Sequence, residues 1–170
     1  EYYQNVQGQI VKINNLLSDL WTASEKPTFH FSDRVHLKDV VAESVQRLGN
    51  QLQSKNIQVE SKIPDSLPLL GVDRPKFYRL FELLLKDEIA SLPQDSRITI
   101  SAGEVENGST DRPEVWVQLS DNGPGLPKEA LRLIFDPCVV RADNPVEFGI
   151  HLMACYFIVH HHSGRIDAHS

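Results

Sequence analysis

The segment that follows Arg74-Pro75 constrains the fold of this chain more than any other. Its apolar residues recur at helical spacing and form one wide stripe, made of Phe77, Leu80, Phe81, Leu84, Leu85 and Ile89. A helix with so wide an apolar face must be covered by other elements. Proline is favoured in the first turn of a helix, and a second proline, Pro93, lies beyond the end of the stripe. The spacing therefore predicts a largely buried helix over 75–91.

In the other segments, apolar residues recur either at the spacing of a helix or in the alternating pattern of a strand. Further helices are predicted over 37–54 and 149–162, with a shorter one over 127–134. Short strands are predicted within 28–36, 57–63, 69–72, 98–101, 115–120 and 165–168. Strands and helices mixed in this way let helices cover one face of a sheet. The expected fold is α+β, a two-layer α/β sandwich with a mixed, mostly antiparallel sheet of about five strands.

Residues 1–21 show a different periodicity. Apolar residues stand at steps of four and three, at Val6, Ile10, Ile13, Leu17 and Leu20. This is a heptad seam, typical of one helix of a bundle or coiled coil. We expect this N-terminal bundle helix to project away from the sheet.

Composition and charge exclude several functions. The 170 residues carry 17 Lys+Arg against 23 Asp+Glu, so the acidic chain is a poor partner for nucleic acid. No apolar run is long enough to span a bilayer, and the N-terminus has no signal-peptide pattern, so we expect no membrane contact by this fragment. Its two cysteines form no CxxC pair, which favours a reducing, cytoplasmic setting. The chain begins at Glu1 without Met, and we expect it to be a piece of a longer protein whose upstream regions could tether it to a membrane.

A glycine-rich segment, residues 121–126 (DNGPGL), directly follows a predicted strand. Glycines let the backbone approach a flat ligand closely, because no Cβ stands in the way. The carboxylate of Asp121 can accept a hydrogen bond from an exocyclic amine such as that of adenine. A plain type II turn that leads into a helix explains the same residues, and both interpretations stay open at this point.

The order of these elements resembles the ATP-binding domain of sensor histidine kinases, in the fold family of gyrase, Hsp90 and MutL. Residues 121–126 are similar to the family's first glycine box, and residues 135–137 (FDP) to its F box. Residues 149–166 (GIHLMACYFIVHHHSGRI) align without a gap with the second glycine box and its helix, and residues 79–93 (RLFELLLKDEIASLP) with the N box. Residues 1–21 resemble the second helix of the dimerisation hairpin.

The resemblance implies two domains and a set of binding residues. Residues 1–25 are expected to be a remnant of the dimerisation hairpin, and residues 26–170 the ATP-binding domain. It implies nucleotide contacts at Asp121, Gly123, Gly125, Asp87 and Gly149, with Asp87 the candidate metal ligand. No catalytic residue is assigned, since the family's phosphoacceptor histidine lies on the first hairpin helix, upstream of Glu1. Among the histidines 160–162, only His162 stands where the family commonly has one.

The N box departs from the family's pattern. The family has two asparagines four residues apart that meet the triphosphate and its magnesium ion, and Leu83 and Asp87 stand there instead. A basic residue and an aromatic one are replaced by Ala90 and Ser91. Asp87 can still ligate Mg²⁺, a hard cation. Without the metal it would repel phosphate by about 4 kcal/mol per unit charge at 4 Å and an effective dielectric of 20.

The second glycine box is changed as well. Gly149 is kept, whereas the outer two glycines are replaced by Glu147 and His151. Side chains there obstruct the bare backbone that holds phosphates at a helix N-terminus. Losing two charge-assisted hydrogen bonds weakens binding by about two to four decades.

These departures favour a degenerate member of the family. The leading hypothesis is a regulatory, pseudokinase-like module in a two-component pathway that binds ATP or ADP weakly and has lost much or all of the family's use of Mg²⁺ and the phosphates. The alternative is a functional autokinase with atypical phosphate contacts through Asp87-bound Mg²⁺ and Lys86, and the third option is a scaffold with a collapsed pocket. Expected partners are a response regulator or another histidine kinase, and the full protein is expected to form a homodimer through the upstream hairpin.

Overall fold

The computed structural model of the chain describes residues 28–105, 114–132, 134–135 and 148–170. Its elements are β1 (Asp33–Val35), α1 (Leu37–Arg47), α2 (Gly49–Ser54), β2 (Gln58–Lys62), β3 (Leu70–Val72), α3 (Arg74–Ser91), β4 (Arg97–Val105), β5 (Glu114–Asp121), α4 (Lys128–Arg132) and α5 (Phe148–His161). The predicted N-terminal helix and the domain boundary at residue 25 lie outside the described residues and stay predictions. None of the described helices is long and apolar enough to cross a bilayer.

The α+β class is confirmed, and the sheet is mixed as expected. Strand β4 lies in the middle of a three-stranded sheet, parallel to β2 and antiparallel to β5. Strands β1 and β3 form a separate antiparallel pair, so the expectation of one sheet of five strands is wrong for the described residues. Each strand of this pair has only three residues. Strand β3 ends where Asp73 caps α3, so the chain turns into the helix before β3 can extend the larger sheet.

The expected last strand over 165–168 is also wrong. After α5 the N–H of Gly164 bonds back to the carbonyl of Val159 at 3.0 Å, and Ser163 has a φ of 58°. This arrangement closes the helix C-terminus in the manner of a Schellman cap. The residues that follow have no strand pairing. Their end contacts the rest of the domain through the Ser170 side chain instead.

Helix α3 occupies the middle of the helical layer, where it packs against both α1 and α5. Strand β4 alternates as its sequence predicts, with Ile98, Ile100 and Ala102 buried in the same core as the helices. The buried positions of the three helices include Leu37, Val40 and Val41 of α1, Leu80, Phe81, Leu85 and Ile89 of α3, and Cys155 and Ile158 of α5. Helices therefore cover one face of an open sheet.

The expected helix over 37–54 is two helices. At Leu48 the backbone leaves helical geometry, with φ −95° and ψ 8°. The next two residues, Gly49 and Asn50, have low helix propensity, which explains a break at this point. Leu48 and Leu52 nevertheless both reach the core.

A single lysine holds the C-terminal end of α3. The Nζ of Lys55 donates hydrogen bonds to the carbonyl oxygens of Ile89, Ala90 and Leu92, at 2.6, 3.2 and 2.9 Å. The last carbonyls of a helix lack partners within it and form the negative end of its dipole. The Lys55 ammonium therefore satisfies and neutralises this helix end, and ties it to the segment between α2 and β2.

Replacing Lys55 with methionine tests this contact. We expect Lys55→Met to lower the free energy of unfolding by about 1–2 kcal/mol, because three carbonyls lose a charged donor. The matched control is Lys38→Met, which removes an ion pair to Asp65 whose side chains are 52% and 85% exposed. An exposed pair of this kind contributes about 0–1 kcal/mol. Equal effects of the two substitutions in urea denaturation would contradict the proposed cap.

Candidate functional site

The glycine-rich segment forms a tight turn at the end of β5. The N–H of Gly123 donates to Oδ1 of Asp121 at 2.6 Å, which makes an Asx turn. Asn122 ties the turn to the start of β4, since the N–H of Arg97 donates to Asn122 Oδ1 at 2.7 Å and Asn122 N–H donates to the Arg97 carbonyl at 3.3 Å. The turn is therefore shaped by its own polar groups, and the carboxylate of Asp121 lies exposed at its start.

Two glycines of this turn contact distant parts of the chain. A Cβ on Gly123 would lie 2.6 Å from Cδ2 of Leu92, the residue that follows α3. Gly125 has a φ of +71°, and a Cβ there would collide with Oγ of Ser170. That same hydroxyl accepts a hydrogen bond from the N–H of Leu126 at 3.0 Å. The end of α3, the glycine turn and the C-terminal residues thus meet at one place.

Sequence reasoning did not single out Leu92 or Ser170 for this site. Leu92 precedes Pro93 and had no pattern that pointed to a turn 31 residues later. Ser170 had no signal at all, because its contact with Leu126 depends on how the chain leaves α5.

The N-box positions lie on α3 with contrasting surroundings. Leu83 is 2% exposed and belongs to the apolar core, and Asp87, one turn later, is 7% exposed. Residues four apart lie on the same helix face, so the buried leucine and the buried carboxylate are neighbours along α3. Ala90 and Ser91 are exposed, and Ser91 Oγ donates to the carbonyl of Glu88 at 3.2 Å.

The negative charge of Asp87 acts on the thiol of Cys155 in α5. Burial raises the pKa of the Cys155 thiol, and the negative charge of Asp87 raises it further, while Arg79 acts in the opposite direction. Cys155 is fully buried, with Sγ 3.8 Å from the carbonyl oxygen of Leu80. This thiol is an inert packing group, because only the thiolate is nucleophilic.

Lys86, the cation next to Asp87, is bonded to another carboxylate. Its Nζ donates to Oε1 of Glu82 at 2.7 Å, and Arg79 approaches the same oxygen at 3.2 Å. Burial raises the pKa of Glu82, but the bond from Lys86 and the charges of Lys86 and Arg79 lower it more, so the pKa lies below the ordinary value. Glu82 is therefore ionised at neutral pH and holds both cations on α3.

A magnesium ion would find few ligands here. Within the described ranges, no three His, Cys, Asp or Glu side chains are placed to hold a metal together. Mg²⁺ is commonly held by one or two carboxylates plus phosphate oxygens and water. The donor chemistry of Asp87 fits one such position, and a bound nucleotide would have to supply the rest.

The remaining predicted residues lie at or near α5. Gly149 lies in its first turn, His151 is half-buried, and Glu147 lies outside the described residues. The three consecutive histidines have different neighbours. His160 stacks on Tyr156, His161 stacks on Phe29, and His162 bonds to the start of α3.

Comparison with known proteins identifies similar chains among sensor kinases. No protein-family model matches the chain. It is 27% identical over 171 residues to the adaptive-response sensory kinase SasA of Gloeothece citriformis, and 29% identical over 171 residues to that of Microcystis aeruginosa. Both alignments cover 98% of this chain but only 42% and 43% of the relatives. Sporulation kinase D of Bacillus subtilis is 25% identical over 170 residues, with 99% of this chain and 32% of the relative covered.

Solved structures give the same fold. Histidine kinase AdeS of Acinetobacter baumannii superposes with a TM-score of 0.70 at 17% identity, covering 92% of this chain and 71% of that one. Histidine kinase ThkA, solved in complex with the response regulator TrrA, superposes with a TM-score of 0.74 at 15% identity, covering 96% and 44%. At such identities these likenesses establish the fold of the chain.

Substituting the glycines tests the shape of the turn. We expect Gly125→Ala to destabilise the chain by about 1–2 kcal/mol, because a left-handed φ is strained for alanine and its Cβ collides with Ser170. The control is Gly49→Ala at the start of α2, where nothing lies within 4 Å of the added Cβ. That variant should be as stable as the parent or more stable, because alanine favours helix. Equal melting of the two variants would contradict the described turn.

Proposed function

We propose that this chain is a degenerate member of the sensor histidine kinase family, since it is similar to sensory kinases in sequence and to solved histidine kinases in fold. In this proposal the domain binds adenine nucleotides weakly through the glycine turn, makes little use of the phosphates, and acts as a regulatory, pseudokinase-like module.

The packing of Leu83 carries the proposal. The family resemblance puts a phosphate-binding asparagine at this position, and here the side chain is 2% exposed and part of the core. An alkyl group can neither donate a hydrogen bond nor ligate a metal. Leu83 contributes to the packing of α3. The leucine that stands in place of the family's asparagine therefore also stabilises the fold.

The charges around this position support the same proposal. Asp87 is buried on the same face of α3. Without a metal, its negative charge would repel the negative charge of a phosphate. Lys86 is held by Glu82 at 2.7 Å, one turn back along the helix. The exposed Ala90 and Ser91 offer neither the cation nor the aromatic ring that the family has there.

The adenine end keeps its means of recognition. Asp121 is exposed at the strand end, and the following turn is already shaped by hydrogen bonds to Gly123 and Asn122. The exposed carboxylate can accept a hydrogen bond from the exocyclic amine of a flat ring. We therefore propose that the purine contributes most of the binding free energy.

The alternative function is that of an autokinase, and the carboxylate of Asp87 is the observation that favours it. Asp87 would hold a magnesium ion, whose charge would offset that of the phosphates. The two proposals predict opposite effects of removing that carboxylate.

The regulatory role requires partners beyond this chain. We propose a response regulator or another histidine kinase, and a homodimer formed through the dimerisation hairpin of the full protein. The complex of ThkA with its response regulator is a precedent in a similar fold. A cytoplasmic setting belongs to the same proposal, because the two cysteines suit a reducing compartment.

Titration calorimetry with adenosine, ADP and ATP, each with and without Mg²⁺, tests the proposal. We expect weak binding of similar affinity for adenosine, ADP and Mg-ATP, and weaker binding of ATP than of ADP without Mg²⁺. Asp87→Asn should strengthen metal-free ATP binding by about tenfold, because it removes a repulsive charge. The control Asp65→Asn removes the same charge from an exposed side chain in the loop between β2 and β3 and should leave affinity unchanged.

Three results would contradict the proposal. Mg-ATP that binds at least tenfold tighter than ADP and is lost in Asp121→Asn would support the autokinase. Asp87→Asn that weakens Mg-ATP binding would identify Asp87 as a magnesium ligand. If no nucleotide binds at millimolar concentration, the adenine end is closed as well and the domain is a scaffold.

A further inference from the structure

One buried aspartate joins three parts of the domain, and none of its contacts serves the glycine turn. Oδ2 of Asp73 accepts a hydrogen bond from the N–H of His30 at 3.0 Å, and Oδ1 accepts one from the N–H of Lys76 at 3.2 Å. The backbone N–H of Asp73 donates in turn to Nε2 of His162 at 3.1 Å. Asp73 thus ties residues 28–31, where the described chain begins, to the start of α3 and the end of α5.

Aromatic rings surround this point. The ring of Phe29 stacks on His161 with centroids 4.5 Å apart and meets the edge of His162 at 5.5 Å. Phe31 meets His162 edge-on at 5.1 Å, and Phe77 of α3 lies 5.7 Å from the same ring. His162 is therefore the ring that residues 28–31 and α3 share.

The hydrogen bonds of His162 require a neutral ring. A backbone N–H can only donate, so Nε2 is the acceptor for Asp73 and carries no proton. The single proton of the neutral ring is then on Nδ1, which donates to the carbonyl of Ile158 at 2.7 Å. A second proton on Nε2 would set one N–H against another, and the bond to Asp73 would be lost.

The charged and titratable groups around His162 offer no free acceptor for that second proton. They are His30 on residues 28–31, Asp73 and Lys76 at the start of α3, and His161 on α5. The carboxylate of Asp73 attracts a proton on His162, but it already accepts two backbone bonds and has Lys76 Nζ at 3.8 Å. Burial raises the pKa of Asp73, and the two backbone bonds together with the charge of Lys76 outweigh burial and lower it. If the carboxylate turns toward a protonated His162, it must release His30 or Lys76.

We propose that Asp73 and His162 form a proton-sensitive latch for residues 28–31. The latch is closed while His162 is neutral. It releases residues 28–31 from the junction of α3 and α5 when His162 takes up a proton. The latch thus sets how firmly residues 28–31 are attached to α3 and α5, the two helices that carry Asp87 and Gly149. The inference does not depend on nucleotide binding.

Nuclear magnetic resonance on the whole 170-residue chain tests the latch. The ring resonances of His162 and the amides of His30 and Asp73 are followed from about pH 8 to about pH 5, the range in which histidines titrate. We expect the two amides to change with the same midpoint as the His162 ring. Amide exchange at His30, corrected for its intrinsic pH dependence, should become at least about tenfold faster as the latch opens.

Two variants separate the latch from ordinary histidine titration. The side-chain carbonyl of His162→Gln can accept the Asp73 N–H but does not titrate in this range, so the transition at His30 and Asp73 should disappear. The control His161→Gln removes the ring stacked on Phe29 and should keep the transition. The latch is refuted if the wild-type His162 ring titrates while the two amides stay unchanged, a result that needs no variant to fold. It is also refuted if His162→Gln keeps the transition or if His161→Gln abolishes it.

Discussion

The burial of α3 is the constraint on which the rest of this domain depends. The helix packs between α1 and α5. One charged side chain holds each of its ends. Asp73 caps its first turn and Lys55 bonds to its last carbonyls. Because both ends are fixed, Leu92 lies where it contacts the glycine turn after β5, and Asp87 lies where its charge reaches Cys155 on α5. The position of α3 thus defines the candidate site as well as the core.

The same face of α3 therefore has two conflicting roles, packing in the core and binding phosphates. In the family pattern the face that carries Leu83 and Asp87 presents amides to phosphates, whereas here Leu83 is a core residue and Asp87 a buried carboxylate. In the proposed degenerate site, apolar burial at the first position stabilises packing and removes a ligand contact in the same step. The glycine turn is not subject to this conflict, because its shape comes from local bonds of Asp121 and Asn122.

Local patterns in the sequence predicted α3, α5 and the glycine turn well, but they could not predict contacts between residues far apart in the chain. The apolar stripe and the flanking prolines predicted a helix over 75–91, and the structure has Arg74–Ser91. No periodicity could show that the His162 ring bonds to a backbone 89 residues away, or that Lys55 reaches carbonyls 34 residues on. The sequence likewise could not show that β1 and β3 pair apart from the larger sheet, or that residues 165–168 form no strand. Strand pairing is decided by which partner edge is within reach.

Amide chemical-shift mapping tests the central claim most directly, namely that the purine end of the site is retained and the phosphate end is not. Adenosine and Mg-ATP are compared on the same labelled chain. The account predicts that both ligands shift the amides of Leu92, Gly123 and Gly125, and that Mg-ATP adds no further shifts at Leu83, Asp87 or the first turn of α5. Additional shifts at those α3 and α5 positions with Mg-ATP alone would show that the triphosphate is held there, and would contradict the account.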